Sequence, residues 1–190
     1  MRVAVTGTPG TGKTTATRYL ESGGRDSDSG SESESEPEND STIDLEVVHL
    51  NELIEDDELY TAVDEDRNSV VADLDALGER LEGRDDVLIE SHLAHHLEAD
   101  RVAVLRCSPA TLESRLRERG ESEAKARENA ESEALDVVLA EAVENHGLES
   151  VYEIDTTDRE PAAVAGELAA VCRGDREPSA GTVDFVEYLT

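Results

Sequence analysis

Val3-Ala4-Val5-Thr6-Gly7-Thr8-Pro9-Gly10-Thr11-Gly12-Lys13-Thr14-Thr15 decides how the rest of the chain is read. An apolar run leads into Gly7-x-x-x-x-Gly12-Lys13-Thr14, and residues compatible with a helix follow. That is the phosphate-binding P-loop pattern behind its strand. A polyphosphate needs many donors in a small space. The glycines let backbone N–H groups turn inward, with no Cβ to block the anion. A helix starting near Lys13 adds its positive end. In this pattern Lys13 reaches the β- and γ-phosphates, and the Thr14 hydroxyl faces Mg²⁺.

The strand before this loop and the pattern after it set the architecture. Residues 2–6, 46–50, 87–89, 102–105 and 151–154 read as short apolar strands. Helices are expected over 13–22, 51–58, 66–81, from Ser108-Pro109 to Arg119, 123–145 and 161–172. The 66–81 helix rests on Val70, Val71, Leu74 and Leu77 at helical spacing. Strands alternating with helices imply an α/β fold: a three-layer P-loop sandwich with a parallel five-stranded sheet, as one domain over 1–190. Nucleotide then binds at the carboxyl ends of the strands.

Residues 23–44 interrupt this order. The stretch is almost pure Ser, Glu, Asp and Gly until Ile43. It has little apolar surface to bury and repels itself, so it reads as a disordered acidic insertion. The tail, 174–190, carries Val183, Phe185, Val186, Tyr188 and Leu189 and is too apolar to be simply loose.

Charge excludes some partners. The chain has 47 acidic and 17 basic residues, a net charge of −30, with lysine only at Lys13 and Lys125. Such a surface repels nucleic acid and gives no sequence-specific grip on it. It fits a salt-rich cytoplasm, and Cys107 and Cys172 read as reduced, packed thiols there. No apolar run approaches membrane-spanning length, and the N-terminus lacks the order of a signal peptide. One consequence is testable. Thermal stability is expected to rise as KCl goes from about 0.1 M to about 1 M, where the screening length falls from about 10 Å to about 3 Å. A flat melting temperature across that range would reject the salt-adaptation reading.

Several further stretches narrow the class. Arg119-Gly120 ends a helix and leads into a polar, arginine-bearing segment, where monophosphate kinases carry a lid over the transferring phosphate. A guanine signature of the Asn-Lys-x-Asp type is absent. Gly7–Thr15, Asp64-Glu65-Asp66-Arg67, Glu90-Ser91-His92 and Arg115-Leu116-x-x-Arg119-Gly120 with Lys125 and Glu128-Asn129 together resemble the adenylate kinase isoenzyme 6, or CINAP-type, family. The resemblance runs from Met1 to about Cys172, apart from the insertion.

That resemblance implies a kinase with a small lid, moving the γ-phosphate of ATP to AMP or related monophosphates to give two diphosphates. It also implies Mg²⁺, some ATPase activity, and a role in small-subunit rRNA maturation through a ribosomal protein on the pre-ribosome. By the same resemblance Gly10, Gly12, Lys13, Thr14 and Thr15 hold ATP phosphates. Arg119 belongs to a lid over 118–128, and Arg159 packs against adenine. Residues 49–63 form the monophosphate region, Thr14 and Glu90 face the metal, and His92 belongs to the catalytic loop. Two departures stand out. The family usually has Asp-x-His where this chain has Glu90-Ser91-His92. No arginine lies between His49 and Asp66, which leaves Arg67 as the nearest cation for the acceptor phosphate. The alternative function is a ribosome-biogenesis ATPase that passes phosphate only to water. His92, His95 and His96 lie close in sequence but lack a supporting Cys or a His-x-x-x-His spacing, which argues against a metal site. Arg117 and Arg127 are expected to pair with glutamates on their own helices.

Overall fold

The computed structural model describes residues 1–23, 43–64 and 69–190. Five strands form one parallel sheet: β1 (Arg2–Thr6), β2 (Glu46–His49), β5 (Val87–Glu90), β6 (Arg101–Arg106) and β7 (Val151–Asp155), in the order β2-β5-β1-β6-β7. Every pair in it is parallel. The first strand of the chain is therefore the central one. The chain passes from β5 on one side of β1 to β6 on the other, and the order reverses at β1. The crevice at such a reversal, beyond the strands' carboxyl ends, is where open α/β sheets take ligands.

Alternation along the strands builds a core on each face. Val3, Val5, Leu88 and Leu105 point to one side, where Leu20 of α1 (Lys13–Glu21) and Leu168 of α7 (Pro161–Arg173) meet them. Ala4, Ile89, Val102 and Val104 point to the other, toward Leu50 and Ile54 of α2 (Leu50–Asp56) and Leu139 of α6 (Val137–His146). A smaller cluster of Cys107, Leu112, Leu116 and Ala126 joins α4 (Pro109–Glu118) to α5 (Glu123–Ala134). The α/β sandwich read from the sequence is the observed fold. Cys107 and Cys172 are both free and buried, and burial pushes the Cys172 thiol up to about 12.

Two elements differ from expectation. The helix over 66–81 is absent as such. Val70 and Val71 belong to β4 (Ser69–Ala72), which pairs antiparallel with β3 (Tyr60–Asp64). Only then does α3 (Leu74–Arg80) begin, with the Asp73 carboxylate accepting from Ala76 N at 3.0 Å. Adjacent β-branched residues favour the pleated form. An Asx-type cap fixes the start of a short helix just beyond them. The 123–145 helix is also broken in two. Asp136 takes a left-handed conformation, φ 56°, between α5 and α6. No Gly or Pro marks that corner. The Asp136 carboxylate holds it through an ion pair to Arg106.

Residues 24–42 of the acidic insertion and Arg67 lie outside the described residues. The insertion's far end is anchored one residue or so before position 44, because Ile43 and Leu45 pack against the core. The tail returns to the sheet: Ser179 N donates to Val151 O at 3.0 Å, and Thr182 N donates to Glu153 at 2.6 Å. No described helix is long and apolar enough to cross a membrane.

Candidate active site

The loop between β1 and α1 is shaped by its neighbours. Gly7 has φ 138°, and a Cβ there would meet Leu105 O at 2.3 Å, so only glycine lets β6 pass this close. Thr8 O is the internal acceptor. It takes the Thr11 hydroxyl at 2.9 Å and the Thr11 N–H at 3.3 Å. The Thr8 hydroxyl itself donates to the Glu133 carboxylate on α5. Thr156, just past β7, has its hydroxyl 2.9 Å from Thr11 O and supports the loop from behind.

Lys13 is 7% exposed. Its ammonium donates to Gly7 O at 2.8 Å and Thr8 O at 3.1 Å. Burial lowers its pKa to about 8, against the opposing pull of Glu90 and Glu133, and Arg119 adds to the lowering. A buried cation held only by carbonyl acceptors gains most from an arriving anion.

Two adjoining cavities open on this loop. The larger, about 340 Å³, is lined by Lys13, Thr14, Thr15, Arg18 and Arg119 together with Gly10 and Gly12. The smaller, about 120 Å³, continues past Gly10, Gly12 and Thr15 to Arg115, Arg159 and Val164. The expected nucleotide-binding residues Gly10, Gly12, Lys13, Thr14, Thr15, Arg119 and Arg159 are thus brought to one crevice. A wider cleft of about 950 Å³ lies at the amino ends of the strands, beside Arg2, Asp75, Glu79 and Asp100. It touches no residue of the loop, and its acidic lining disfavours an anion.

Arg119 caps α4, and Gly120, φ 90°, follows it before α5 starts at Glu123. Residues 118–128 therefore form a tight corner between two helices. Arg119 is exposed and makes no ion pair among the described residues. Its neighbours behave otherwise. Arg117 pairs with Glu113 at 3.8 Å and Arg127 with Glu131 at 2.8 Å, each across one helical turn, and Lys125 with Glu121, just before α5, at 3.0 Å. Arg115, the first residue of the Arg115-Leu116-x-x-Arg119-Gly120 stretch, turns into the smaller cavity. It donates to Cys107 Sγ at 3.4 Å and Thr156 O at 3.2 Å. Arg159 pairs with Glu167 at 2.5 Å, which leaves it at the cavity wall.

The carboxylate expected to face a metal sits beside its partner. The Thr14 hydroxyl donates to Glu90 Oε1 at 3.2 Å, and Glu90 is 6% exposed. Hydroxyl and carboxylate oxygens are the hard donors that Mg²⁺ takes, together with substrate phosphates, so the pair fits the ion. The other Glu90 oxygen meets His49 Nδ1 at 2.8 Å, and His49 Nε2 meets Glu21 at 3.2 Å. The strand register places His49 directly opposite Glu90.

Burial alone would lower the pKa of His49. Its hydrogen bonds to Glu90 and then Glu21 outweigh that and raise it above 6.5. A raised folded value means that this pairing stabilises the fold fully below the unfolded pKa. The contribution is lost as pH rises through the folded value. His49→Gln is therefore expected to lessen the loss of melting temperature as pH rises above about 6.5. An unchanged slope in a thermal scan at stepped pH would remove His49 from that role.

His92 is exposed and lines neither cavity. Lost hydration first, then the charges of Lys13 and His95, lower its pKa to about 4. His95, His96 and Glu141 offer donors within 4.8 Å of one another. Buried His95 already meets Thr6 Oγ1 at 2.8 Å and Glu141 at 3.1 Å, so both its nitrogens are satisfied without an ion.

Known proteins share this sequence over much or all of its length. Residues 3–136 match the family model described as "AAA domain". A protein of Natronomonas pharaonis named "Putative adenylate kinase" is 57% identical over 189 residues, covering 100% of both chains. One of the same name from Halobacterium salinarum is 54% identical, again over 100% of both. Among solved structures, a deoxyadenosine kinase from M. mycoides with bound dATP has a TM-score of 0.46 and 14% identity, covering 88% of this chain and 97% of that one. A likeness of that size carries no argument about function.

Proposed function

Since the chain belongs to the AAA-domain family and to the family of archaeal proteins that share the name "Putative adenylate kinase", we propose that it is an ATP-dependent nucleoside monophosphate kinase acting on AMP. One observation carries the reading: Lys13, Thr14, Arg18 and Arg119 converge on a single cavity of about 340 Å³ at the end of β1.

The reaction needs position and charge more than covalent chemistry from the protein. The loop N–H groups and the start of α1 hold the β- and γ-phosphates of ATP. Lys13 leaves its carbonyl acceptors for the anion. Arg115, Arg159 and Val164 bound the cavity that takes the nucleoside end. An oxygen of the AMP phosphate attacks the γ-phosphorus, the bond to the β-phosphate oxygen breaks, and two ADP result. Arg119 comes down over the transferring group. Thr14 and Glu90 would hold Mg²⁺, which would supply charge neutralisation for the phosphates.

One observation favours the ATPase alternative. The acceptor side carries Glu52, Glu55, Asp56, Asp57 and Glu58 on or just after α2, with no arginine among the described residues of 49–64. Product analysis with ATP and each monophosphate in high KCl decides between the readings. ADP formed from AMP is the expected result. Phosphate released only to water would overturn the kinase and leave the ATPase, with its ribosomal partner, in place. The charge of −30 and relatives from Natronomonas and Halobacterium support work in a salt-rich cytoplasm.

A further inference from the structure

Among the described residues, a buried charged network around Arg106 goes unused by the proposed chemistry. Arg106, at the end of β6, is 1% exposed. Its guanidinium meets three carboxylates: Glu133 at 2.7 Å, Glu153 and Asp136. The Phe185 ring of the tail covers it, with the guanidinium carbon 5.5 Å from the centroid. One cation among three anions does not need all of them for neutrality.

Glu133 stands apart from the other two. It is 2% exposed, and it alone of the three also bonds to the phosphate loop. One oxygen accepts from the Thr8 hydroxyl. The other accepts from Arg106 Nε and from Cys107 N, the latter at 3.2 Å. Thr8 is the residue whose carbonyl holds both Thr11 and Lys13. Glu133 rides on α5, the helix that begins three residues after Gly120. A single buried carboxylate therefore joins the loop, the end of β6 and the helix that leads away from Arg119.

We infer that Glu133 is a positioning residue for nucleotide binding, acting through the Thr8 hydroxyl to hold the phosphate loop in register with the helix behind Arg119. This rests on the proposed nucleotide site. It adds a device by which the loop is set before substrate arrives. A carboxylate accepting from a buried hydroxyl is a strong fixed acceptor. Its loss frees Thr8 to turn, and the Thr8 carbonyl turns with it.

The test is a double-mutant cycle on ADP binding, measured by calorimetry in high KCl. Glu133→Gln keeps the shape and removes the charge. Thr8→Val removes the hydroxyl and leaves the Arg106–Glu133 pair intact. Each is expected to weaken ADP binding roughly tenfold, and the double variant hardly further, because one charged hydrogen bond is lost in all three. Asp136→Asn is the control, since it removes an Arg106 partner that does not touch the loop. It should lower the melting temperature and leave ADP affinity unchanged.

If Glu133→Gln behaves like Asp136→Asn, Glu133 only balances Arg106 and the inference fails. Full affinity in Thr8→Val, or additive losses, overturns it as well. Should Glu133→Gln not fold, the ADP affinity of Thr8→Val decides by itself. A parent protein that binds no adenine nucleotide would instead sink the proposed site itself, a different result from a parent that binds while both variants match it.

Discussion

Lys13→Ala is expected to remove ATP turnover, both to AMP and to water, by about 10³-fold or more, while the protein stays folded. The size follows from the reaction. Phosphoryl transfer is carried by positioning and charge neutralisation, and losing one preorganised donor to developing charge costs about 10²–10³ in rate. Lys13 adds a full charge in a buried site to that donor role. The structure also gives the direction for stability. The folded protein holds Lys13 at a pKa of about 8, below its usual value, because burial disfavours the charge. At pH 7 the ammonium is therefore charged at a cost, and removing it does not forfeit a favourable ion pair. Circular dichroism and the melting temperature should match the parent. A folded Lys13→Ala variant with near-normal turnover would exclude this crevice as the reaction site.

Arg119→Ala is the second large effect, of a different kind. Arg119 lines both cavities, is exposed, and has no ion pair among the described residues to hold it elsewhere. Gly120, φ 90°, gives the backbone a turn directly behind it. A mobile guanidinium meets the γ-phosphate best when the transferring group spreads its charge, so it acts on the transition state more than on bound ATP. Arginines in this role contribute about 10³ or more. Transfer to AMP is expected to fall by that order, with the KM for ATP rising only a few-fold. Steady-state kinetics at varied ATP and saturating AMP make the split visible. Equal loss in affinity and turnover would make Arg119 a ground-state contact. Full activity would clear it from the reaction.

Local chemistry explains how much of the fold and site is legible in the chain. The loop at Gly7–Thr14 and the parallel sheet around it follow from neighbours in sequence: a strand period, a glycine spacing, a helix start. Val70 and Val71 mislead because two apolar residues at helical spacing from Leu74 and Leu77 fit both periods. Pairing with β3 decides for the strand. Arg115 and Glu133 escape for the opposite reason. Each sits on a helix rich in charge, where a neighbouring partner one turn away is the default reading. Their actual partners, Thr156 for Arg115 and Thr8 for Glu133, lie 41 and 125 residues away. No local pattern marks a contact of that separation. The buried cation is visible in the sequence only as Arg106, one more arginine at the end of an apolar run.

The position of β1 has a consequence for how the protein is made. Of the five sheet strands the central one is made first, and its neighbours β5 and β6 come more than 80 residues later. Until both have been synthesised, Val3, Ala4 and Val5 have no sheet to join, and the loop after them has neither Leu105 nor Glu133 against which to set. Thr156, behind the loop, emerges later still. Closing contacts across such spans is slow. A nascent chain halted before Glu133 therefore displays the complete phosphate-binding sequence without its shape. The loop's shape therefore waits for Glu133 and Thr156 to be made.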